Sequence, residues 1–233
     1  MYERDYFLFH WYEKRVPKEV NQASIFDAEI NYYLMLIKDL GYEVSIYQLL
    51  SNKVMNIYWT LARGKNSNKF ATYSTAGAHL FGRSAIISAL KELYFALYVY
   101  NQDVVQIQAN GHQMRPQDVT TVADHAIYYS VEERSQNFDF LKEAEMIEHR
   151  VESDYSIDID TYYSELLEFT NKQFGNFYII ENTPVGLKEI GLCEVKVFAP
   201  GMQDMNFGYE NQYINHRRIH VPSHQEIPIH PFP

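Results

Sequence analysis

Glu92 is the acidic residue whose surroundings in the sequence most invite a chemical role. It lies in a run, residues 83–100, where Ile86, Leu90, Leu93 and Leu97 recur at helical spacing and form one apolar stripe. Glu92 falls off that stripe, beside Ala85, Ser88, Ala89 and Ala96, whose small side chains leave room for a ligand to approach a carboxylate. The same pattern also describes a solvated glutamate on an alanine-rich helix. Upstream, residues 74–80 read as a small-residue loop that can bring backbone N–H groups to a phosphate. Asp124-His125 has the composition of an acid–base pair, or of a histidine that caps a helix or hydrogen-bonds within a core. His216, His220, His224 and His230 suggest a metal site, but the intervening prolines forbid a regular helix, so packing and surface roles are the default. Arg217 and Arg218 suit phosphate or a carboxylate, or simply solvent.

The elements that must position these groups follow from periodicity and punctuation. Residues 2–15 read as a helix remnant broken at Pro17, beginning so abruptly that the chain is expected to start partway through an element. Ser24 and Asp27 form an S-x-x-D start for a helix carrying Phe26, Ile30, Tyr33, Leu34, Ile37 and Leu40, closed by Gly41. Strands are expected at 42–50 and 54–62, with a turn between them. Residues 64–69 and 101–117 read as loops. Further helices are expected near 120–129, 136–149 and 161–174, the last stopped by Gly175. Residues 177–181 and 193–198 read as buried or half-buried strands. From Asn211 to Pro233 the chain is irregular and proline-bearing. Without repeats or low-complexity linkers, 1–233 reads as a single mixed α/β (α+β) domain.

Composition narrows the function classes. Across 233 residues, 46% are apolar, enough for a substantial core. A net charge of −10 without Lys/Arg clusters argues against nucleic-acid binding. The single cysteine, Cys193, excludes an internal disulfide and a thiolate cluster, and fits a reducing, cytoplasmic setting. No apolar stretch reaches membrane-spanning length, and no signal segment opens the sequence.

Several segments, in order, resemble the YcaO family. Residues 76–97, A-G-A-H-L-F-G-R-S-A-I-I-S-A-L-K-E-L-Y-F-A-L, resemble the family's Gly-Ala-His-like segment leading into an "A-L-x-E" helix. Glu3-Arg4-Asp5-Tyr6-Phe7 with Trp11 resembles the end of its first nucleotide motif. Asp124-His125 with Tyr128-Tyr129, followed by Phe140-Leu141, resembles a "D-H…Y-Y" segment. Thr183, Gly191-Leu192 and the run from Val195 to Gln203 resemble "T…G-L…V-K-V-x-x-P-G-x-Q". Phe207-Gly208 and the 215–218 cluster follow in the same order. The ending His230-Pro231-Phe232-Pro233 is similar to the proline-rich terminus of the streptolysin-type (SagD-like) branch.

The resemblance implies a YcaO-like domain with βαβ-type units, lacking its N-terminal part. It implies an ATP- and Mg2+-dependent cyclodehydratase that forms azolines from Cys, Ser or Thr of a ribosomal precursor peptide, here as an incomplete chain that is expected to be inactive alone. In that chemistry the side chain attacks the preceding carbonyl and ATP phosphorylates the oxyanion, so that phosphate departs with the former amide oxygen. By resemblance Glu3, Arg4 and Glu92 bind ATP–Mg2+, with Glu3 and Glu92 toward the metal. Arg218 joins the nucleotide residues, and Pro231, Phe232 and Pro233 lie near the site. Implied partners are the precursor peptide, a leader-recognising ocin-ThiF or ubiquitin-activating-like protein and an FMN-dependent dehydrogenase. Departures from the pattern keep a second expectation open. Only Glu3-Arg4 of the first motif is present; Ala89 and Phe95 stand where the second has Asn and Gln; and the third, E-x-x-x-R, has no counterpart. The alternative is a non-catalytic scaffold or peptide-docking subunit of a bacteriocin-maturation complex.

Overall fold

The computed structural model describes residues 1–149, 158–221 and 227–232. In chain order it contains α1 (Tyr2–Glu13), β1 (Lys18–Asn21), α2 (Ala28–Asp39), β2 (Tyr42–Ser51), β3 (Asn56–Gly64), β4 (Thr72–His79), α3 (Gly82–Tyr100), α4 (Val104–Gln113), α5 (Val122–Tyr128), β5 (Met146–Glu148), α6 (Ile159–Phe174), β6 (Tyr178–Glu181), α7 (Val185–Glu189) and β7 (Val195–Phe198). Five strands form a mixed sheet in the order β4-β3-β2-β1-β5, and β6 and β7 form a separate antiparallel pair. Within the larger sheet only β1 and β5 are parallel; β1, α2 and β2 run strand–helix–strand with antiparallel neighbours.

Side chains alternating across β3 build two cores. Ile57, Trp59 and Leu61 face α1, packing with Phe7, Leu8 and Trp11. Tyr58 and Ala62 face the opposite layer, with Ile86, Leu90, Leu93 and Leu97 of α3 and Ile30 and Ile37 of α2. The α3 stripe is therefore as its spacing predicts. Arg83 joins α3 to α2 by bonding Asp27 at 2.7 Å and Glu29 at 3.0 Å, and Lys91 adds a contact to Glu29 at 3.1 Å.

The helix α1 is covered on nearly all sides, burying Asp5, Tyr6, Phe7, Leu8, His10, Trp11 and Tyr12. Its outer cover is the C-terminal segment. Phe232 meets Phe7 at 5.1 Å, and Gln203 and Arg218 converge on Asp5. Asp5 is fully buried and accepts from the Gln203 N–H at 2.7 Å and from the Arg218 guanidinium at 2.8 and 3.0 Å. This is a charge pair with its remaining acceptor capacity filled.

Several expectations need correction. Residues 74–80 are not a loop: β4 continues to His79, because Thr75, Ala76 and Gly77 hydrogen-bond in register opposite Thr60, Trp59 and Tyr58. Asp27, not Ser24, caps α2, its carboxylate accepting from the N–H groups of Glu29 and Ile30 at 3.0 Å each, while Ser24 bonds back to the Asn21 carbonyl. Residues 101–117 contain α4, which is short and polar on its outer surface and so hides its period. Residues 136–149 are mostly 3-10 helix followed by β5. The expected strands 177–181 and 193–198 form, but β6 and β7 are exposed on both faces. Among the described residues, no helix is long and apolar enough to cross a membrane.

Candidate functional site

Along α3, the small residues beside Glu92 have a packing role that the sequence did not reveal. Ala85 and Ala89 are fully buried against β4. A Cβ on Gly77 would lie 2.2 Å from the Ala85 carbonyl oxygen, and the Thr75 hydroxyl donates to the Ala89 carbonyl at 2.8 Å. Gly77, Ala85 and Ala89 thus let helix and strand touch backbone to backbone. They do not make room around the carboxylate. Glu92, one step around the helix, is left at the rim of that contact and open to solvent.

At this rim Glu92 feels the charges of two other implied nucleotide residues, Glu3 and Arg4. Crowding by protein raises the Glu92 pKa above the ordinary carboxylate value, the negative charge of Glu3 raises it further, and Arg4 partly offsets the rise. Glu3 and Arg4 come from the first turn of α1 and Glu92 from the middle of α3, on opposite faces of the sheet, so they share an electrostatic neighbourhood around the β4 edge. Among the described residues, neither Glu3 nor Glu92 takes part in an ion pair or a side-chain hydrogen bond. Lys91, next in sequence, is drawn onto Glu29. Two carboxylates that repel one another suit a hard divalent cation, and Mg2+ is commonly held by one or two carboxylates plus phosphate oxygens. Among the described residues no group of three or more His, Cys, Asp or Glu is arranged to hold a metal by itself.

Glu3 also lines a cleft of about 630 Å³ with Ala78, His79, Leu80 and Phe81, a size that suits a small-molecule ligand. His79 accepts the Phe81 N–H at 3.0 Å and stacks on the Phe81 ring. The cleft opens at the N-terminal end of α3, where the aligned peptide dipoles are positive.

The remaining candidates lie elsewhere. Arg218 is on the other side of α1, two residues around from Glu3, with its guanidinium on Asp5 and its face 4.1 Å from the Phe9 ring. Asp124 and His125 are not an acid–base pair. The Asp124 carboxylate accepts from the Thr120 and Thr121 N–H groups at 3.0 and 2.7 Å, as the third-position partner in the capping box of Thr121 at the start of α5, whereas the buried His125 ring points toward the C-terminal segment. Of the four histidines, His216 is exposed, the His220 backbone N–H bonds Glu13, His230 is buried, and His224 lies outside the described residues. In the tail, Ile229, His230, Pro231 and Phe232 are buried, and Pro233 lies outside the described residues. Phe232 rests on Phe7, which is one helical turn from Glu3. Sequence reasoning missed the residues that seat this tail, Tyr129 chief among them. Their only signal was the D-H…Y-Y spacing.

Residues 1–203 match the sequence model of a family described as YcaO cyclodehydratase, ATP- and Mg2+-binding. Comparison with curated proteins returned no match. Among solved structures, the fold is similar to that of YcaO from Methanopyrus kandleri bound with AMPPCP and Mg2+, with a TM-score of 0.59 at 15% identity over 96% of this chain and 54% of that one. It is similar to a heterocyclase in complex with substrate and cofactor, with a TM-score of 0.59 at 19% identity over 86% of this chain and 25% of that one. A third likeness is to the E. coli microcin synthetase McbBCD complex with pro-MccB17 bound, with a TM-score of 0.53 at 14% identity over 85% and 48% of the two chains. At these identities the likeness establishes the fold. The chain spans between a quarter and about half of the length of the chains it matches.

Proposed function

The chain belongs to the YcaO family, and on that premise we propose that it contributes an ATP–Mg2+ site to azoline formation on a ribosomal precursor peptide. The single observation that carries this reading is the shared electrostatic neighbourhood of Glu3, Arg4 and Glu92, formed by two helices on opposite faces of the sheet. Glu3 and Glu92 would supply hard oxygen ligands to Mg2+, and Arg4 would meet phosphate oxygens. When bound, ATP supplies the phosphoryl group that turns an amide oxygen into a leaving group. The chain's own part is to bind and orient the nucleotide and to crowd out water beside it. The cleft at Glu3 and His79 and the positive end of α3 favour a polyphosphate there.

The streptolysin-type assignment rests on the tail, whose end lies one helical turn from Glu3 through the Phe232–Phe7 contact. A precursor peptide, a leader-recognising partner and an azoline-oxidising dehydrogenase fit this reading, as does a cytoplasmic setting. So does the treatment of 1–233 as one domain: Ile214, Ile219, Ile229 and Phe232 pack into the same core as α1.

A second reading, a non-catalytic YcaO-like scaffold, is favoured by Ala89. It stands where the family's second motif has Asn, and it is fully buried with its backbone pressed against β4. Titrating the chain with Mg–AMPPCP by calorimetry separates the two readings. Binding that requires Mg2+ and weakens in Glu3→Gln and Glu92→Gln supports the nucleotide site, whereas the absence of heat from folded protein supports the scaffold.

A further inference from the structure

We propose that His125 and Tyr129 are positioning residues that lock the C-terminal tail in register and so fix the place of its Phe232 end against α1. The catalytic consequence of this clamp rests on the nucleotide-site reading above.

The two residues stand four apart at the end of α5, so both side chains project from one face of one turn. The Tyr129 hydroxyl donates to the Ile229 carbonyl at 2.6 Å, and the His125 ring Nδ1 donates to the next carbonyl, that of His230, at 2.7 Å. The histidine tautomer follows from its other nitrogen. The Gly208 N–H points at Nε2 at 3.1 Å, so Nε2 accepts and Nδ1 carries the proton. Gly208 holds φ +95°, a conformation that presents its N–H inward and that a side chain would strain.

Both bonds are made to main-chain carbonyls, so they set register whatever side chains the tail carries. A slip by one residue would break both and turn the tail's side chains to the opposite side. Ring contacts reinforce the register. His125 stacks on His230 at 4.2 Å, Phe207 lies edge-on to His125 at 5.4 Å and meets His230 at 5.6 Å, and His230 Nε2 donates to the Asn206 carbonyl at 3.0 Å. Two residues past His230, Phe232 reaches Phe7.

The clamp is also fastened to the strand that borders the candidate site. The Tyr129 carbonyl accepts from both the N–H and the hydroxyl of Thr72, at 3.3 and 3.0 Å, and the Ser130 carbonyl accepts from the Ala71 N–H at 2.8 Å. A continuous chain of contacts therefore runs from β4, which ends at His79 in the cleft, through α5 to the tail. Apolar burial alone would hold the tail down. Two hydrogen bonds to successive carbonyls hold it at one address.

The test uses the full chain and the variants Tyr129→Phe, His125→Ala and His125→Asn; the Asn amide keeps a donor near the position of Nδ1. Hydrogen exchange of peptides covering residues 227–232 reports the tail, Mg–AMPPCP affinity reports the nucleotide site, and MgATP-dependent phosphate release, measured with precursor peptide in the assembled complex, reports turnover. Tyr129→Phe and His125→Ala are expected to speed tail exchange by about tenfold or more, with β2–β4 unchanged. In both, kcat for phosphate release should fall by about tenfold with KM for ATP within about twofold, and His125→Asn should restore both readouts. Unchanged tail exchange in Tyr129→Phe overturns the clamp. Faster tail exchange with unaltered kcat, or a loss of protection spread over the whole chain, overturns the positioning role. A wild-type protein that neither binds Mg–AMPPCP nor releases phosphate refutes the nucleotide reading and its catalytic consequence, and the exchange comparison then decides the clamp alone.

Discussion

Replacing Glu92 by Gln should make the protein slightly more stable and a poorer nucleotide binder at the same time. The Glu92 carboxylate has a raised pKa because protein crowds it and Glu3 repels it, with Arg4 offsetting part of the effect. The folded state thus holds the Glu92 proton more tightly than the unfolded chain does. Ionisation therefore weakens folding as pH rises through the ordinary carboxylate range, and the penalty stays in place at neutral pH. Glutamine removes that penalty. Because Glu92 is open to solvent, the gain is small, at most about 0.5 kcal/mol at pH 7 and vanishing below about pH 4. In the nucleotide complex the sign reverses, since a cation or polyphosphate–Mg2+ pair favours the ionised form. Losing one ligand oxygen is expected to weaken Mg–AMPPCP binding by about tenfold, or about 1.4 kcal/mol. Glu3→Gln should likewise weaken Mg–AMPPCP binding, and the double variant is expected to depart from the sum of the two because both carboxylates would serve one cation. Urea unfolding at pH 7 and pH 4 measures the first effect and calorimetry the second. A destabilisation of about 2–5 kcal/mol, the size of a core cavity, or unaltered Mg–AMPPCP affinity would refute the reasoning.

Other perturbations probe the frame around the site. Asp5→Asn strips Arg218, only 14% exposed, of its partner and should cost about 3–5 kcal/mol in urea unfolding. Asp5→Leu combined with Arg218→Met should cost less than either single change; a larger cost would mean the pair is worth more than its desolvation. Gly77→Ala drives a methyl to 2.2 Å from the Ala85 carbonyl and should lower stability by about 1–3 kcal/mol or more in thermal unfolding. An unchanged melting temperature would show that β4 and α3 are not in close contact. Acid should loosen the tail. Burial holds His230 down to about 3 from 6.5 and lowers His125 as well, so the unfolded chain takes up protons first and stability present above about pH 6.5 drains as pH falls toward 3. Exchange protection of residues 227–232 should decline in that window ahead of β2–β4, and flat protection down to about pH 4 would contradict it.

What the sequence made legible was whatever repeats with a period. The apolar stripe of α3 sits where its spacing puts it, and β2, β3 and α6 form within a few residues of the segments expected for them. The strand β4 escaped notice because its residues are small: Thr75, Ala76 and Gly77 lack the bulk that signals a strand, and that smallness is what lets α3 lie against it. Likewise α1 shows little polar face, since most of it from Asp5 to Tyr12 is buried, and so it reads as a fragment rather than as a central core element. At the site, Glu92 stood out beside Ala85 and Ala89, but those two residues face the sheet and not the carboxylate. The grouping of Glu3 with Glu92 depends on two helices meeting across an edge strand, which no local pattern encodes. Arg218 looked like a phosphate ligand because its partner, Asp5, lies at the far end of the chain.

That distance has a consequence for how the molecule is made. The partners of Asp5 and Glu13 lie 198, 213 and 207 residues further along, at Gln203, Arg218 and His220. The helix α1 therefore leaves the ribosome well before the segments that complete its cover. At roughly 5–20 residues per second it waits on the order of 10–40 s with its apolar surface uncovered and its carboxylate without a counter-ion. Meanwhile the antiparallel run β2-β3-β4 can assemble from contacts close in sequence. Closing so long a loop makes the docking of α1 a late and slow event, during which its aromatic surface is a natural substrate for holding chaperones. In refolding from urea, Trp11 on α1 and Trp59, which packs against Phe7 of the same helix, should then become buried together and only after the β2–β4 amides have gained exchange protection.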